Sequence, residues 1–421
     1  MTRYRYTLTA TRPVSAGRSD ERANIRRAHE ILPGATVRGA LAAQWWRAQH
    51  KQGLAADAAF ADLFDHDLRV GQAVPEGYEL VSASARVCKY RSQPECDEVL
   101  QDPALPGASP QWTTCWHCGG PLTSAAGWRR GPDAASVGLQ GRTRGALTER
   151  ETAAEGKLFT RQALVAADGT ALLTGVLDAP AEQESWLEGL AVRVGGGRSL
   201  DFGAATLTLS PAPWPAWPGK GAHLFRLVSP TILLDAYGGA TVSLDHLAAE
   251  LRRVTAQPEL VVDGQQAWLR SEPISGWHMR SQLPKPLDWA LAPGSVVVVT
   301  GLSAAGWSNL EGGLGYRTLE GYGQVERVDP GSLPVEPENQ GVARVRALRQ
   351  KVPQTKAWVA LKRDVIATLE KLEAADPGQA ELLRQRTFPG LLGEAQAAAR
   401  GVLNVPVGHI PGTIAKLRET R

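Results

Sequence analysis

Residues 3–14, RYRYTLTATRPV, alternate between apolar and polar positions, which predicts a strand. A polar, charged stretch over residues 15–30 follows and predicts a loop. Then comes LPGATVRGALAAQWWRAQ, where Pro33-Gly34 marks a turn and Thr36 can cap a helix carrying Ala40, Leu41, Ala42 and Trp45. Residues 85–125 show little periodicity and read as an insertion. Residues 158–177 contain strand-like pieces around a turn at Asp168-Gly169. Over residues 187–210 (LEGLAVRVGGGRSLDFGAATLTLS) a helical end runs into a glycine loop and then an alternating strand.

PAPWPAWPGKG, residues 211–221, has the proline and glycine content of a linker. Beyond it HLFRLVSPTILLDA predicts a strand, residues 244–254 have helical spacing, and SVVVVT (295–300) predicts another strand. EGGLGYRTLEGYGQVERV, residues 311–328, repeats the order of glycine loop and strand, a sign of internal duplication. After Pro334 the composition shifts toward Ala, Leu, Arg, Gln and Glu. Residues 341–373 and 378–400 predict two helices packed as an appendage. The expected organisation is a first domain over 1–210 with the insertion at 85–125, a linker at 211–221, a second domain over 222–333, and a helical region over 334–421.

With 421 residues, 43% of them hydrophobic and 21% charged, the chain has globular composition and length for two cores plus an appendage. No apolar run approaches the roughly 20 residues of a membrane span. The N-terminus lacks the apolar stretch of a signal peptide, so a cytosolic location is expected. Net charge is only +3, but residues 1–50 hold nine arginines against three acids. Guanidinium groups suit phosphate because a planar fork donates two parallel hydrogen bonds. The plain alternative is a solvated basic surface.

The first glycine loop runs Gly195-Gly196-Gly197-Arg198-Ser199-Leu200-Asp201-Phe202-Gly203. The second runs Gly312-Gly313-Leu314-Gly315-Tyr316-Arg317-Thr318-Leu319-Glu320-Gly321-Tyr322-Gly323. Glycine permits positive φ and close approach, so several N–H groups can converge on an anion. The arginine adds charge, and the aromatic residue either anchors the loop or stacks on a base. No Gly-Lys-Ser/Thr follows, which excludes a P-loop, and a strand rather than a helix follows, which excludes the dinucleotide fingerprint. One such loop could be a structural hairpin or bulge. Two of the same order, each late in its own domain, favour binding.

Together these features resemble the RAMP superfamily of CRISPR-associated proteins. The resemblance rests on Pro33-Gly34-Ala35-Thr36-Val37-Arg38-Gly39, similar to a PG-S/T-x-x-RG helix entry, on GGGRSLDFG, similar to GGGRSRGFG, and on LEGYGQV in the second loop. A two-domain chain with a cysteine insertion, and the stretch SGWHMRSQLPKPLDWALAPGSVVVV, resemble the type III-D subunit of the Csx-ten kind. The resemblance covers most of residues 1–330. It implies an α+β chain of two ferredoxin-like (RRM-like) domains with a zinc-knuckle insertion and a C-terminal helical appendage. It also implies a subunit of a type III effector that grips the 5′ tag of CRISPR RNA (crRNA). Its partners would be the large polymerase-like subunit and the backbone RAMP subunits, with target RNA met indirectly. Leu200 and Asp201 replace the usual second arginine and glycine, so that loop either pairs Asp201 with an arginine or contributes shape more than charge.

The expected RNA contacts are Arg26, Arg27, Gly34, Arg38 and Gly39 near the N-terminus and Arg142 and Arg144 in QGRTRGALTERETAAEGKLFT, with Lys157 a weaker candidate. In the first loop they are Gly195, Gly196, Gly197, Arg198, Ser199, Phe202 and Gly203. In the second they are Gly313, Gly315, Arg317, Gly321, Tyr322 and Gly323. For Arg142 and Arg144 a solvated charge run is the competing reading. Trp45 and Trp46 cannot both face one core, and shared amphipathic packing is preferred over stacking on a base.

Cys115-Trp116-His117-Cys118-Gly119-Gly120 is a zinc-knuckle half. Cys88 and Cys96 complete four ligands for a closed structural Zn²⁺, with His117 able to replace one of them. Buried or incidental thiols are the alternative. In an insertion poor in apolar residues, metal binding would supply folding free energy.

A ribonuclease on this scaffold could use His29 as general base against a ribose hydroxyl. An exposed loop histidine or an RNA contact is preferred. By the same resemblance Asp20 could be a metal-binding cleavage residue, but Glu21 and the arginines beside it favour a salt-bridged surface. No HExxH or kinase signature appears. The expectation is therefore an RNA-binding, non-catalytic subunit. The alternatives are a metal-independent crRNA-processing endoribonuclease using His29 and a zinc-containing interaction protein that binds no RNA.

Overall fold

In the computed structural model, the alternation at the N-terminus becomes strand β1, Thr2–Ala10, with Tyr4, Tyr6, Leu8 and Ala10 all buried on one face. The structure describes all residues except 18–24, 52–56, 91–95, 97–101, 105–114, 116–120, 132–136, 198–201, 279–280, 282, 329–339, 353–354, 406–409 and 421. The chain divides into two units. One comprises residues 1–81 and 127–328, and the other residues 82–126 and 329–421.

In the first unit β1 is followed by β2 (Ile25–Arg26), α1 (Gly34–Lys51) and β3 (Arg69–Val70). Next come β4 (Val137–Leu147), β5 (Ala153–Ala166), β6 (Ala171–Ala179), α2 (Glu184–Leu187), β7 (Leu190–Arg193) and β8 (Ala204–Pro211). The central sheet runs β7-β8-β1-β6-β3, all antiparallel, with Val74–Pro75 also on β6. Taking β1, β3, β6 and β8 as the four core strands, their spatial order is 4-1-3-2, with α1 between the first pair and α2 between the last. Helix α1 lays Val37, Ala40, Leu41 and Trp45 on this sheet. A separate three-stranded sheet has the order β2-β5-β4.

The same arrangement recurs further on. Strand β9 (His223–Leu227), helix α3 (Leu244–Thr255), β10 (Val261–Trp268), β11 (Val296–Thr300), α4 (Ala304–Asn309) and β12 (Val325–Arg327) follow in order. Their sheet is β10-β11-β9-β12, which is 4-1-3-2 read from the other edge. Helix α3 starts where the Ser243 hydroxyl accepts from the Asp245 N–H, and it buries Leu247, Ala248 and Leu251.

Some local expectations change. Thr36 does not cap α1, because the helix begins at Gly34 and the Thr36 N–H already donates to the Pro33 carbonyl. A short strand, β7, separates the helical end at Leu187 from the glycine loop. LAVR is too short for its periodicity to show, and pairing with β8 decides it. The linker is held in place: Trp214 Nε1 donates to the Trp307 carbonyl, and Trp307 Nε1 donates to the Pro215 carbonyl. The guanidinium of Arg3 lies over the Trp214 ring. Trp45 is buried and Trp46 half-buried, and both meet Phe60 edge-on.

In the second unit the C-terminal region forms five helices among the described residues, where two were expected. They are α5 (Gln340–Lys351), α6 (Thr355–Glu373), α7 (Pro377–Arg384), α8 (Gly393–Leu403) and α9 (Ile410–Glu419). The first predicted run breaks after Lys351, and the second between Arg384 and Gly393, where Pro389 cannot continue the hydrogen-bond ladder. Their core includes Trp358, Val365, Leu369, Val402 and Leu417. The cysteine-bearing segment belongs to this same unit.

Candidate nucleic-acid interface

The two glycine loops are built alike, bond for bond. In the first, Val194 N–H donates to the Gly203 carbonyl, Gly196 N–H to Ser15, and Gly203 N–H to Pro13. In the second, Leu314 N–H donates to Gly323, Tyr316 N–H to Ile232, and Gly323 N–H to Pro230. Gly195 and Gly315 have φ of 83° and 78°, and Gly203 and Gly323 both have φ of 75°. A Cβ on Gly203 would overlap the Val194 carbonyl oxygen, and one on Gly323 the Leu314 carbonyl oxygen. Phe202 and Tyr322, the residues before these glycines, are both buried.

This construction corrects the expectation that the glycines expose amides to a polyanion. Among the described corner residues, the N–H groups of Gly196, Gly203, Gly313, Leu314, Gly315, Tyr316, Gly321 and Gly323 all donate within the protein. Gly315 donates to a carboxylate, Glu250 Oε1, at 2.7 Å. Gly195, Gly203, Gly315, Gly321 and Gly323 are required by the close approach of backbone to backbone. Phe202 and Tyr322 anchor their loops, and a buried ring offers no face to a base. Arg198 and Ser199 lie outside the described residues, as do Leu200 and Asp201.

The second corner also binds the two halves of its unit together. A Cβ on Gly34 would overlap the carbonyl oxygens of Val70 and Glu320, and one on Gly321 the Val70 oxygen, so both glycines serve contact between the halves. Arg69 Nη1 donates to the Glu311 carbonyl at 3.0 Å, and Gln72 Nε2 to the Val228 carbonyl at 2.8 Å. Arg317, expected to face phosphate, donates to Glu320 at 2.9 Å, pairs with Asp288 at 3.4 Å, and stands over the Tyr322 ring. Its side chain is only 10% exposed. The order of residues conceals this, because the two carboxylates come from a helical turn and a distant strand. Arg38 is largely covered as well, beside Asp65 and above the Phe64 ring. Gly39 is exposed on α1 and a Cβ there meets nothing.

Burial by itself would raise the Glu320 carboxyl. Hydrogen bonds from Arg317 and Lys285 outweigh it and hold the group below its ordinary value of 4.5. Burial pushes the Tyr322 phenol up to about 12. A carboxyl with a depressed folded-state pKa contributes stability that is complete above its unfolded value and is lost as pH falls through the folded value. Glu320→Gln is therefore expected to cost about 1–3 kcal/mol at pH 7. The gap from wild type should shrink below pH 4.5, read from urea unfolding midpoints between pH 7 and acid.

Cationic side chains gather instead above the first corner. Arg142 and Arg144, on β4, are exposed and stand over the Phe202 ring with 5.8 and 6.0 Å between guanidinium carbon and ring centroid. Arg161 on β5 reaches the same corner, since a Cβ on Gly196 or Gly197 would meet its Nη1. Sequence reading missed Arg161. The available signal was its place in a strand directly after Phe159 and Thr160, opposite a segment already flagged for arginine. Arg26, on β2, and Arg27 are exposed; Lys157 lies within β5. His29 is half-buried and its N–H donates to the Ala16 carbonyl.

In the second unit Cys88, Cys96 and Cys115 are buried, with their sulfurs within 4.8 Å of one another. Four thiolates about 2.3 Å from a tetrahedral zinc lie about 3.8 Å apart. The Cys96–Cys115 separation is 3.8 Å, which fits shared coordination and is too long for a disulfide. Cys118 and His117 lie outside the described residues. The donor set present could hold a metal ion.

Residues 145–326, which span both corners, match the family model described as CRISPR-associated protein (Cas_Cmr3). Over that segment the chain is similar to a CRISPR-associated family. The matched segment is less than half of the chain. No curated protein matches it. A solved structure of the type III-B Cmr-beta complex bound to cognate target RNA contains a chain 12% identical to it. The likeness covers 70% of this chain and 86% of that one, with a TM-score of 0.41. A Cas6 product complex is 13% identical over 78% of this chain and 100% of that one, with a TM-score of 0.29. Cmr4 is 10% identical over 50% and 100%, with a TM-score of 0.24. At these scores the likenesses carry no further argument. No helix among the described residues is long and apolar enough to cross a membrane.

Proposed function

We propose that this chain is an RNA-binding, non-catalytic subunit of a type III CRISPR effector, III-D-like and of the Csx-ten kind, acting in the cytoplasm. It holds the crRNA 5′ tag on a pair of ferredoxin-like domains beside the large polymerase-like subunit and backbone RAMP subunits, and it meets target RNA through that assembly. A structural zinc on Cys88, Cys96, Cys115 and Cys118 stabilises the second unit. The observation that carries the reading is the family match over residues 145–326, which takes in both glycine corners and the strand that brings Arg161 to the first. Two sheets of order 4-1-3-2, each with the same corner leading into its fourth strand, support the ferredoxin-like assignment. Among the described arginines expected as contacts, Arg26, Arg27, Arg142 and Arg144 are exposed.

Phosphate neutralisation releases counterions, so log affinity for crRNA is expected to fall steeply with log salt over about 50–200 mM. Fluorescence anisotropy with labelled repeat-derived RNA reads this directly. Absence of binding at the lowest salt rejects the reading. Specific cleavage of that RNA, lost in His29→Ala, would make the chain a processing ribonuclease instead.

A further inference from the structure

We infer that an RNA backbone crosses the three-stranded sheet β2-β5-β4 at right angles to its strands, gripped by a row of in-register arginines, Arg26, Arg161 and Arg142. This rests on the reading that the partner is RNA and gives that partner a place and a direction. Arg161 pairs with Arg26 in the parallel register of β5 with β2. It also pairs with Arg142 in the antiparallel register of β5 with β4. Register partners project from the same face of a sheet, so the three guanidinium stems stand side by side. Two strand spacings of about 4.8 Å make the row about 10 Å long, enough to meet adjacent phosphates. Arg144 extends the patch along β4, two residues from Arg142 and therefore on the same face.

The face is identified by what lies beneath it. Arg142 and Arg144 cover the buried Phe202 ring, and the Arg161 guanidinium abuts Gly196 and Gly197. Gly196, Gly197 and Phe202 of the first corner thus lie against the guanidinium groups of that face. A polyanion running along the row meets a guanidinium group on each strand, whereas one running along a single strand would meet the row only once. Arginine provides a fork for each phosphate where lysine would provide a point charge.

The test uses full-length protein and a labelled, unstructured single-stranded RNA. One variant carries Arg26→Gln, Arg142→Gln and Arg161→Gln. A control loses the same charge from exposed positions of the other unit, through Arg346→Gln, Arg363→Gln and Arg418→Gln. Thermal unfolding establishes that both remain folded. The row variant is expected to lose about 30-fold or more in affinity at about 0.1 M salt, with its log–log salt slope shallower by about 2 for three lost phosphate contacts. Replacing the three by lysine should restore most of the slope and less of the affinity. If wild type binds and the row variant matches the control, the inference fails while RNA binding stands. Should wild type bind no RNA, the functional reading fails and takes the inference with it.

Discussion

Gly323→Ala and Gly203→Ala are each expected to destabilise the first unit by on the order of 3 kcal/mol or more. Both glycines have φ of 75°, where a residue with a Cβ loses roughly 1–2 kcal/mol. The added carbon would also overlap the Leu314 or Val194 carbonyl oxygen, and each glycine's own carbonyl accepts from that same residue's N–H at 2.8 Å. Relief of the overlap therefore breaks the loop closure. Gly169→Ala is the control, since Gly169 has φ of 86° with nothing near its would-be Cβ, and it should cost only about 1 kcal/mol. Urea unfolding midpoints for the three variants decide the matter. Equal losses at Gly323, Gly203 and Gly169 would mean that close approach contributes nothing.

Cys96→Ser, or treatment with a strong chelator under reducing conditions, is expected to unlock the segment 82–126. A structural zinc supplies roughly 10–16 kcal/mol of apparent binding free energy in small zinc peptides, and that energy is folding energy. The sulfurs of Cys88, Cys96 and Cys115 form a small buried cluster against Leu122, the one apolar neighbour among the described residues of that cluster. Limited proteolysis should cut within 82–126 in the variant and in the stripped protein, and leave it whole in the untreated chain. Elemental analysis should find about one zinc per chain in wild type and less than about half in Cys96→Ser. Equal metal content in the two would reject the site.

The glycine loops show how far residue order reaches. Their duplication was readable, and the structure repeats it down to matching hydrogen bonds from Gly196 and Tyr316 and from Gly203 and Gly323. Their apparent chemistry was not. Aligned by those bonds, Arg317 stands where the first loop has Gly197, so the two loops do not present equivalent arginines. Arg317 is held by Glu320, three residues away, and by Asp288, from a strand 29 residues earlier. An acid's distance along the chain says little about whether it neutralises a guanidinium, because pairing depends on separation in space.

Arg161 is the converse case. In sequence it is one arginine in a strand, 135 residues from Arg26 and 19 from Arg142. Register alone aligns the three, and register is set by turns and by burial of the opposite face, neither of which belongs to the arginines themselves.

By itself the sequence determined the α+β character, the duplicated corners, the thiol cluster and the basic N-terminal segment. These follow from local periodicity, from glycine at positions that demand it, and from residue type. Only the tertiary structure decided which arginines are tied to carboxylates, which share a sheet face, and that the N–H groups of Gly196, Gly203, Gly315, Tyr316 and Gly323 donate within the protein. Those outcomes depend on contacts between segments far apart in the chain, whose energies no short stretch of residues encodes.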